Sequence, residues 1–537
     1  MSEFNNDAIA ALNRLTAKKI EEKMRPLRMS PSENSKRRWI WELLQNAKDK
    51  AAIDFPKQQV SVSINFNQDF IEFCHNFGCF TTKNIEGIIR QISSDDKDRE
   101  EIDKTELPKT TGRFGTGFMT THLLSEKVNV TGIYKNKDDS FQRIQFPLDR
   151  SGRNISQLIE SIQCSFDCAE NSLLTSPKST NINFSDFNTI FRYELNEKGK
   201  NIAQIGLNDL EVSLPYTLLF INRIKQVKVS INNNETIYDK KEPYKLTNDI
   251  KIIEFDKTQN SKVKKLYFAT LSKGLTSIAI QIDIDKINNK IFIKQFEKIT
   301  PKLFLDFPLI GTEDFNFPVV INNPFLEPTE PRDGVFLTNE TDEHIINNKS
   351  VIQDASSLYF ILLEYAANSN WQNLYFLAIT SLPKEKDWIA KDWYKSQVQK
   401  VLRAKLLKTE IVYTDNPQQP KITLENALFP YHVSKIKISK IWEFASKLWN
   451  ARLPKKEHIE FWYEIIDKSW EKNLHYDLKK LVTDIAILSN VSQLASRINQ
   501  NEEEALDWLN QVIEFIVAED QKLLTDFAII PNQYSVS

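Results

Sequence analysis

SENSKRRWIWELLQNAKDKAA, residues 32–52, is the stretch from which the rest of the chain is read. Ser32 is a plausible N-cap, because its hydroxyl can accept from backbone N–H groups that a first helical turn leaves unpaired. On the helix that follows, Glu42 and Asn46 stand four residues apart and Asn46 and Asp49 three apart, so all three project from one side. Trp39, Ile40, Leu43, Leu44 and Ala47 supply an apolar face. A carboxylate and an amide oxygen at this spacing can activate a water and coordinate Mg²⁺, a hard cation that prefers oxygen ligands. An ordinary solvated helix face carries the same residue types, so the chemistry needs a second feature beside it.

Working outward, DAIAALNRLTAKKIEEKM (7–24) reads as an amphipathic helix before this one. After it, QVSVSINF (59–66) alternates apolar and polar residues, turns at 67–69 and continues as FIEFC (70–74), the pattern of a β-hairpin. The polar run 93–111 suggests a mobile lid. TTGRFGTGFMTTH (110–122) then sets Gly112, Gly115 and Gly117 in G-x-x-G-x-G spacing ahead of the helix candidate FMTTHLLSE. Backbone N–H groups there can face phosphate oxygens. The chain has only 12 glycines, so finding Gly78, Gly112, Gly115 and Gly117 this close together marks a special site. A dinucleotide fingerprint would need a strand just before the glycines, and a P-loop would need G-K-[ST] after them; neither is present.

Lys and Arg number 70 against 72 Asp and Glu, a formal charge of -2, so no overall basic field points to nucleic acid or a membrane surface. No apolar run is long enough for a spanning helix and the first residues lack a secretory pattern, which predicts a cytosolic protein. Cys74, Cys79, Cys164 and Cys168 form two close pairs that invite a zinc reading, although reduced thiols account for them more simply. Strand patterns dominate from about 220 to 345, among them IKQVKVSI (224–231), KKLYFATL (264–271), SIAIQIDI (277–284) and KIFIKQF (290–296). Past Asp342 the patterns are helical, including SLYFILLEYAANS (357–369), WIAKDWYKSQVQKVLRAKLL (388–407), KIWEFASKLW (440–449) and EEALDWLNQVIEFIVAE (503–519). The expected division is 1–215, 216–345 and 346–537, with no internal repeat.

The ordered motifs resemble those of the GHKL, or Bergerat-fold, ATPase superfamily, which embraces the ninety-kilodalton heat-shock chaperone, DNA gyrase B, MutL and histidine kinases. The first box, E-x-x-x-N-A-x-D, stands as Glu42 to Asp49, and the last, G-x-x-G-x-G, as Gly112 to Gly117. The resemblance implies an α+β chain: an N-terminal Bergerat-type α/β sandwich, a transducer-like α+β domain and a mainly helical C-terminal region. It implies that ATP and Mg²⁺ are bound, with Glu42 polarising the attacking water, Asn46 holding the metal and Asp49 supporting the nucleotide. Gly112, Arg113, Phe114, Gly115, Thr116, Gly117 and Phe118 would offer backbone donors, with Thr131 on the following strand a further nucleotide contact. The middle box D-x-G-x-G appears here as His75-Asn76-Phe77-Gly78-Cys79, without its aspartate. Sacsin-like ATPases look most similar at this point, since many carry H-N-G-x-P-F-T where this chain has HNFGCFT. Adenine would then meet His75 or Asn76, or base recognition is loosened, or His75 is simply a turn residue.

PLIGTEDFNFPVVINNPFLEPTEPRDGVFL (308–337) resembles the second-domain segment of sacsin-like proteins, which makes Arg332 a candidate for the basic residue sent to the γ-phosphate. Lys302 is the other candidate, and surface ion pairing is the alternative for both. By this resemblance the chain is a slow Mg²⁺-dependent ATPase whose lid closure drives a clamp, with homodimerisation on nucleotide binding and with prokaryotic antiphage defence as a process. The alternative is a nucleotide-binding scaffold that recruits a protein or nucleic-acid partner with little hydrolysis. A histidine kinase is disfavoured, because no phospho-acceptor helix precedes the site. LLTDFAIIPNQYSVS (523–537) resembles a point at which sacsin-like proteins continue, so a longer protein is expected.

Overall fold

The computed structural model describes residues 3–91, 117–330 and 332–531, with side chains from Asp7 onward. The expected lid at 93–111 and the residues Gly112, Arg113, Phe114, Gly115 and Thr116 lie outside them. The chain is α+β, with one large mixed sheet and a helical C-terminal region.

Helices α1 (Glu3–Met29) and α2 (Glu33–Asp54) come first. The cap of α2 is the expected one, the Ser32 hydroxyl accepting from Ser35 N at 3.1 Å. Next come β1 (Val60–Phe66), β2 (Phe70–His75) and α3 (Thr82–Arg90). The pair β1 and β2 is the hairpin read from the alternation, and Asn67 Oδ1 closes its turn by accepting from Asp69 N and Phe70 N, both at 2.9 Å. A 3₁₀ turn, Gly117–Leu123, stands where an α-helix was expected. Its threonines explain the tighter winding, since Thr120 and Thr121 hydroxyls bond back three residues to Gly117 O and Phe118 O, each at 2.8 Å.

The remaining N-terminal elements are β3 (Lys127–Lys135), β4 (Phe141–Asp149), α4 (Ile155–Thr175), β5 (Thr189–Glu194) and α5 (Glu197–Phe220). After them run β6 (Ile224–Ile231), β7 (Asn234–Lys240), β8 (Tyr244–Lys245), β9 (Lys251–Gln259), β10 (Lys262–Lys273), β11 (Thr276–Asp285) and β12 (Lys290–Ile293). The strands β13 (Leu303–Leu305), β14 (Phe307–Pro308) and β15 (Val320–Asn322) precede the long helix α6 (Glu343–Asn368). These fifteen strands belong to one sheet, ordered β14-β13-β15-β11-β10-β9-β7-β6-β1-β2-β5-β3-β4, with β12 on β11 and β8 on β9. The parallel pair β1 and β6 carries the sheet from the first region into the second. The expected boundary at 215/216 falls inside α5, and that at 345/346 inside α6.

Three hydrophobic cores hold these elements. The first joins α1, α2, α4 and α5 to β1 through β7 and reaches Phe304, Phe307 and Val320 of the second region. The second packs β10, β11, β13 and β15 against α6 and the helical region as far as Leu474, so α6 shares its core with the strands before it. The third is formed by residues between Leu428 and Ile529. The helix expected over 388–407 is present but interrupted by a π turn at Tyr394–Gln399, where the buried Tyr394 hydroxyl donates to Phe315 O at 2.8 Å.

Candidate functional site

Helix α2 is buried on more sides than an amphipathic pattern implies: besides the apolar face, Trp41, Gln45, Lys48 and Asp49 are buried. On one flank lies α5, whose Gly206 leaves no room for a Cβ beside the Trp39 indole. Trp39 Nε1 donates to Ile202 O at 3.2 Å and Trp41 Nε1 to Asp209 Oδ2 at 2.6 Å. Asp209 is fully buried, which pushes its carboxyl up to about 6 even though Arg37 pairs with it at 2.6 Å. On another flank lies the segment 299–332, tied to α2 at three points. Arg37 pairs with Glu313 at 2.6 Å, Lys48 stands 3.9 Å from Asp306, and Arg332 Nη1 donates to Gln45 Oε1 at 3.1 Å.

The residues of the first box are brought together with the end of the glycine turn. Glu42 is mostly buried, Asn46 is exposed, and Asp49 is buried with Lys48 at 3.2 Å. Gly117 sits so close to Glu42 that a Cβ added there would collide with the carboxylate. The glycine thus lets the turn approach a carboxylate that a methyl group there would push aside, and the general-base candidate faces the start of the 3₁₀ turn. Arg38 Nη2 donates to Glu42 Oε1 at 3.0 Å. Among the described residues no hydrogen bond engages the Asn46 side chain. Phe118 is buried, its ring 5.6 Å from that of Phe191 on β5.

The middle box is occupied by its own contacts. Asn76 Oδ1 accepts from Ser61 N at 2.7 Å and Asn76 Nδ2 donates to Ser185 O at 3.3 Å, so both ends of that amide serve the backbone. Phe77, at φ 52°, lies in the left-handed region and packs on Phe55, with ring centroids 5.7 Å apart. Asp54, at the end of α2, accepts from Cys79 N at 3.0 Å and from Cys79 Sγ at 3.3 Å, and its negative charge adds to burial in pushing that thiol up to about 12.

His75 is buried, which lowers its imidazole to about 4. Its Nδ1 lies 3.0 Å from Asn76 O, and because a carbonyl only accepts, Nδ1 carries the hydrogen. The neutral ring then presents Nε2 as a lone-pair acceptor. In the register of β2, β5 and β3, His75 faces Thr189, while Thr131 pairs with Ile190 one residue along. Side chains alternate across a strand, so Thr131 points to the opposite side of the sheet from His75 and it is Thr189 that shares the face of His75. A Cβ at Gly78 would meet His75 Cε1 at 2.9 Å and Thr189 Oγ1 at 3.4 Å, which brings His75, Gly78 and Thr189 together.

Of the two basic candidates, Arg332 reaches α2 and Lys302 does not. Arg332 has φ 69°, a left-handed conformation that a non-glycine residue adopts at a cost. Lys302 is buried with its ammonium 3.0 Å from the centre of the Phe296 ring, and desolvation holds its pKa well below the usual lysine value. Gln45, Thr189 and Arg38 were not among the residues singled out by motif. Gln45 follows Glu42 by three positions and so carried a spacing signal, whereas Thr189 lies in an ordinary strand pattern. Cys164 and Cys168 face each other on α4, Sγ to Sγ 3.9 Å.

No helix of the described residues is long and apolar enough to cross a membrane. No protein-family model matches the chain, and no curated protein matches it.

Proposed function

We propose that the chain is a Mg²⁺-dependent ATPase of GHKL type, with the nucleotide held between α2, the glycine turn and the end of β2. The observation that carries this reading is the close approach of Gly117 to Glu42, which sets a carboxylate beside a backbone turn suited to phosphate. Bound ATP and Mg²⁺ would supply the phosphoanhydride and the charge neutralisation that phosphoryl transfer to water needs. Glu42 orients and deprotonates the attacking water. Asn46 offers its amide oxygen to the metal, and the His75 Nε2 accepts from the amino group of adenine with Thr189 beside it. Arg332 is held at Gln45, one residue before Asn46 in sequence, and is the second region's candidate for sensing the γ-phosphate. This contact, with the two further ties between α2 and the segment 299–332, gives a route by which nucleotide state reaches the rest of the molecule.

The Arg38 contact favours a second reading, a scaffold that binds nucleotide without turning it over, because one Glu42 oxygen is already engaged. Phosphate release by the wild type and by Glu42→Ala separates the two. A loss of about 10²- to 10⁴-fold in turnover, with ATP binding retained, is the expected result. Equal rates for both proteins would overturn the catalytic role, and failure of the wild type to bind ATP would remove the nucleotide site altogether.

A further inference from the structure

Helix α1 carries two apolar faces. Ala17, Ile20 and Met24, with Asn13 and Thr16 beside them, are buried against the first core. Turned away from these, Ala8, Ala11, Leu12 and Leu15 are exposed, Leu12 at 39% and Leu15 at 68%. Their spacing, three and four residues apart over two turns, is that of a seam between packed helices. Among the described residues nothing covers this second apolar stripe. Asp7, Arg14 and Lys18 flank this stripe, all exposed, and no ion pair of the described residues engages any of them.

We propose that this face pairs with the same face of a second copy of the chain, the two α1 helices running antiparallel about a twofold axis between Ala11 and Leu12. That axis sets Ala8 against Leu15 of the partner subunit and Ala11 against Leu12 of the partner subunit, so small residues receive large ones at every layer. It also brings Asp7 towards Arg14 and Lys18 of the partner subunit, and the symmetry repeats this pairing of opposite charges at the other end of the seam. A parallel pair would place this charged flank of the two copies on opposite sides of the seam, so Asp7 would meet neither Arg14 nor Lys18 of the partner subunit. The contact uses no residue of the nucleotide site, so the dimer forms without ATP and stands or falls independently of the ATPase reading.

Sedimentation velocity on the full chain without nucleotide, over a range of protein concentrations, tests the proposal. A reversible monomer–dimer equilibrium is expected, with Leu12→Glu combined with Leu15→Glu weakening it by about tenfold or more. Both positions are exposed, so the variant keeps its fold, which its thermal transition checks. Asp7→Lys weakens the dimer on its own and Asp7→Lys with Lys18→Asp restores it. A wild type that stays monomeric at every concentration overturns the proposal, including one that instead binds lipid vesicles through α1. So does a dimer indifferent to the double glutamate variant or to the charge swap.

Discussion

The two ends of the candidate site are built on opposite principles. At the phosphate end, Gly117 closely approaches Glu42, and Asn46, one turn further along α2, makes no side-chain hydrogen bond among the described residues. At the base end, Asn76, Phe77 and Cys79 are committed to Ser61, Ser185, Phe184, Phe55 and Asp54, and only one nitrogen of His75 is left over. On the proposed reading, the phosphate end would receive a ligand that brings many acceptors and a metal. The base end is a structural turn with one acceptor exposed to the site. The same polar residue types thus do different work according to whether their bonds are already made.

The largest way to break this contrast is Gly117→Ala. The new methyl group must displace the Glu42 carboxylate, and a misplacement of roughly 1 Å can cost about 10²-fold in rate. A turnover assay beside a nucleotide-binding titration checks this. A rate within a factor of about three of wild type would show that the close approach of Gly117 to Glu42 is not needed for turnover. Gly78→Ala is the counterpart at the base end, where the methyl group meets the His75 ring. It is expected to weaken ATP binding more than it lowers the rate at saturation.

A smaller and sharper test compares two asparagines. Asn76→Ala removes an acceptor from the half-buried Ser61 N and a donor to the exposed Ser185 O, at about 0.5–1.5 kcal/mol. It should lower the unfolding midpoint while leaving saturated turnover intact. Asn46→Ala removes an exposed amide without a bond among the described residues, so its stability should change by less than about 0.5 kcal/mol. Its Mg²⁺ dependence should instead shift to higher metal concentration. The reverse assignment, a destabilised Asn46→Ala with normal metal dependence, would make Asn46 structural.

Much of this was legible in the sequence where one local signal decides the outcome. Ser32 caps α2, the alternation over 59–66 gives β1, and the apolar periodicity over 503–519 gives the helix Glu502–Glu519. The arrangement of Glu42, Asn46 and Asp49 was legible for the same reason, since three- and four-residue spacing fixes a helix face. What could not be read depends on residues far apart in the chain. Thr189 faces His75 only because β5 pairs with β2 in one register, and a shift of one residue would have presented Ile190. Gln45 gains its role from Arg332, 287 positions away. The continuity of the sheet through β1 and β6 is a parallel contact with no local signature, so a division at 215/216 looks natural in sequence yet falls within α5.

The last expected effect concerns proton linkage of buried groups, His75 at the base end among them. His75 is held neutral in the folded chain, with its imidazole near 4 against an unfolded value of about 6.5, and burial lowers His122 to about 3. Between these folded values and 6.5 the unfolded chain binds protons that the folded chain does not, so stability rises with pH across that window and is lost as pH falls through it. For His75 the full span is worth on the order of 3 kcal/mol. Asp209 acts in the opposite sense. Its carboxyl, near 6 when folded, keeps its proton longer than the unfolded chain does, so its contribution declines as pH rises from about 4 to 6. His458, whose imidazole burial also lowers, adds to these two histidines, and Asp306, whose carboxyl burial raises, adds to Asp209; the histidines leave a net gain towards pH 6.5, measurable as a rising thermal midpoint. His75→Asn should flatten that slope, and Asp209→Asn should steepen it. A flat His75→Asn difference across the same window would mean that the ring is protonated as readily in the fold as outside it. The Nε2 lone pair, and with it the proposed adenine contact, would then be lost on acidification at an ordinary imidazole pKa.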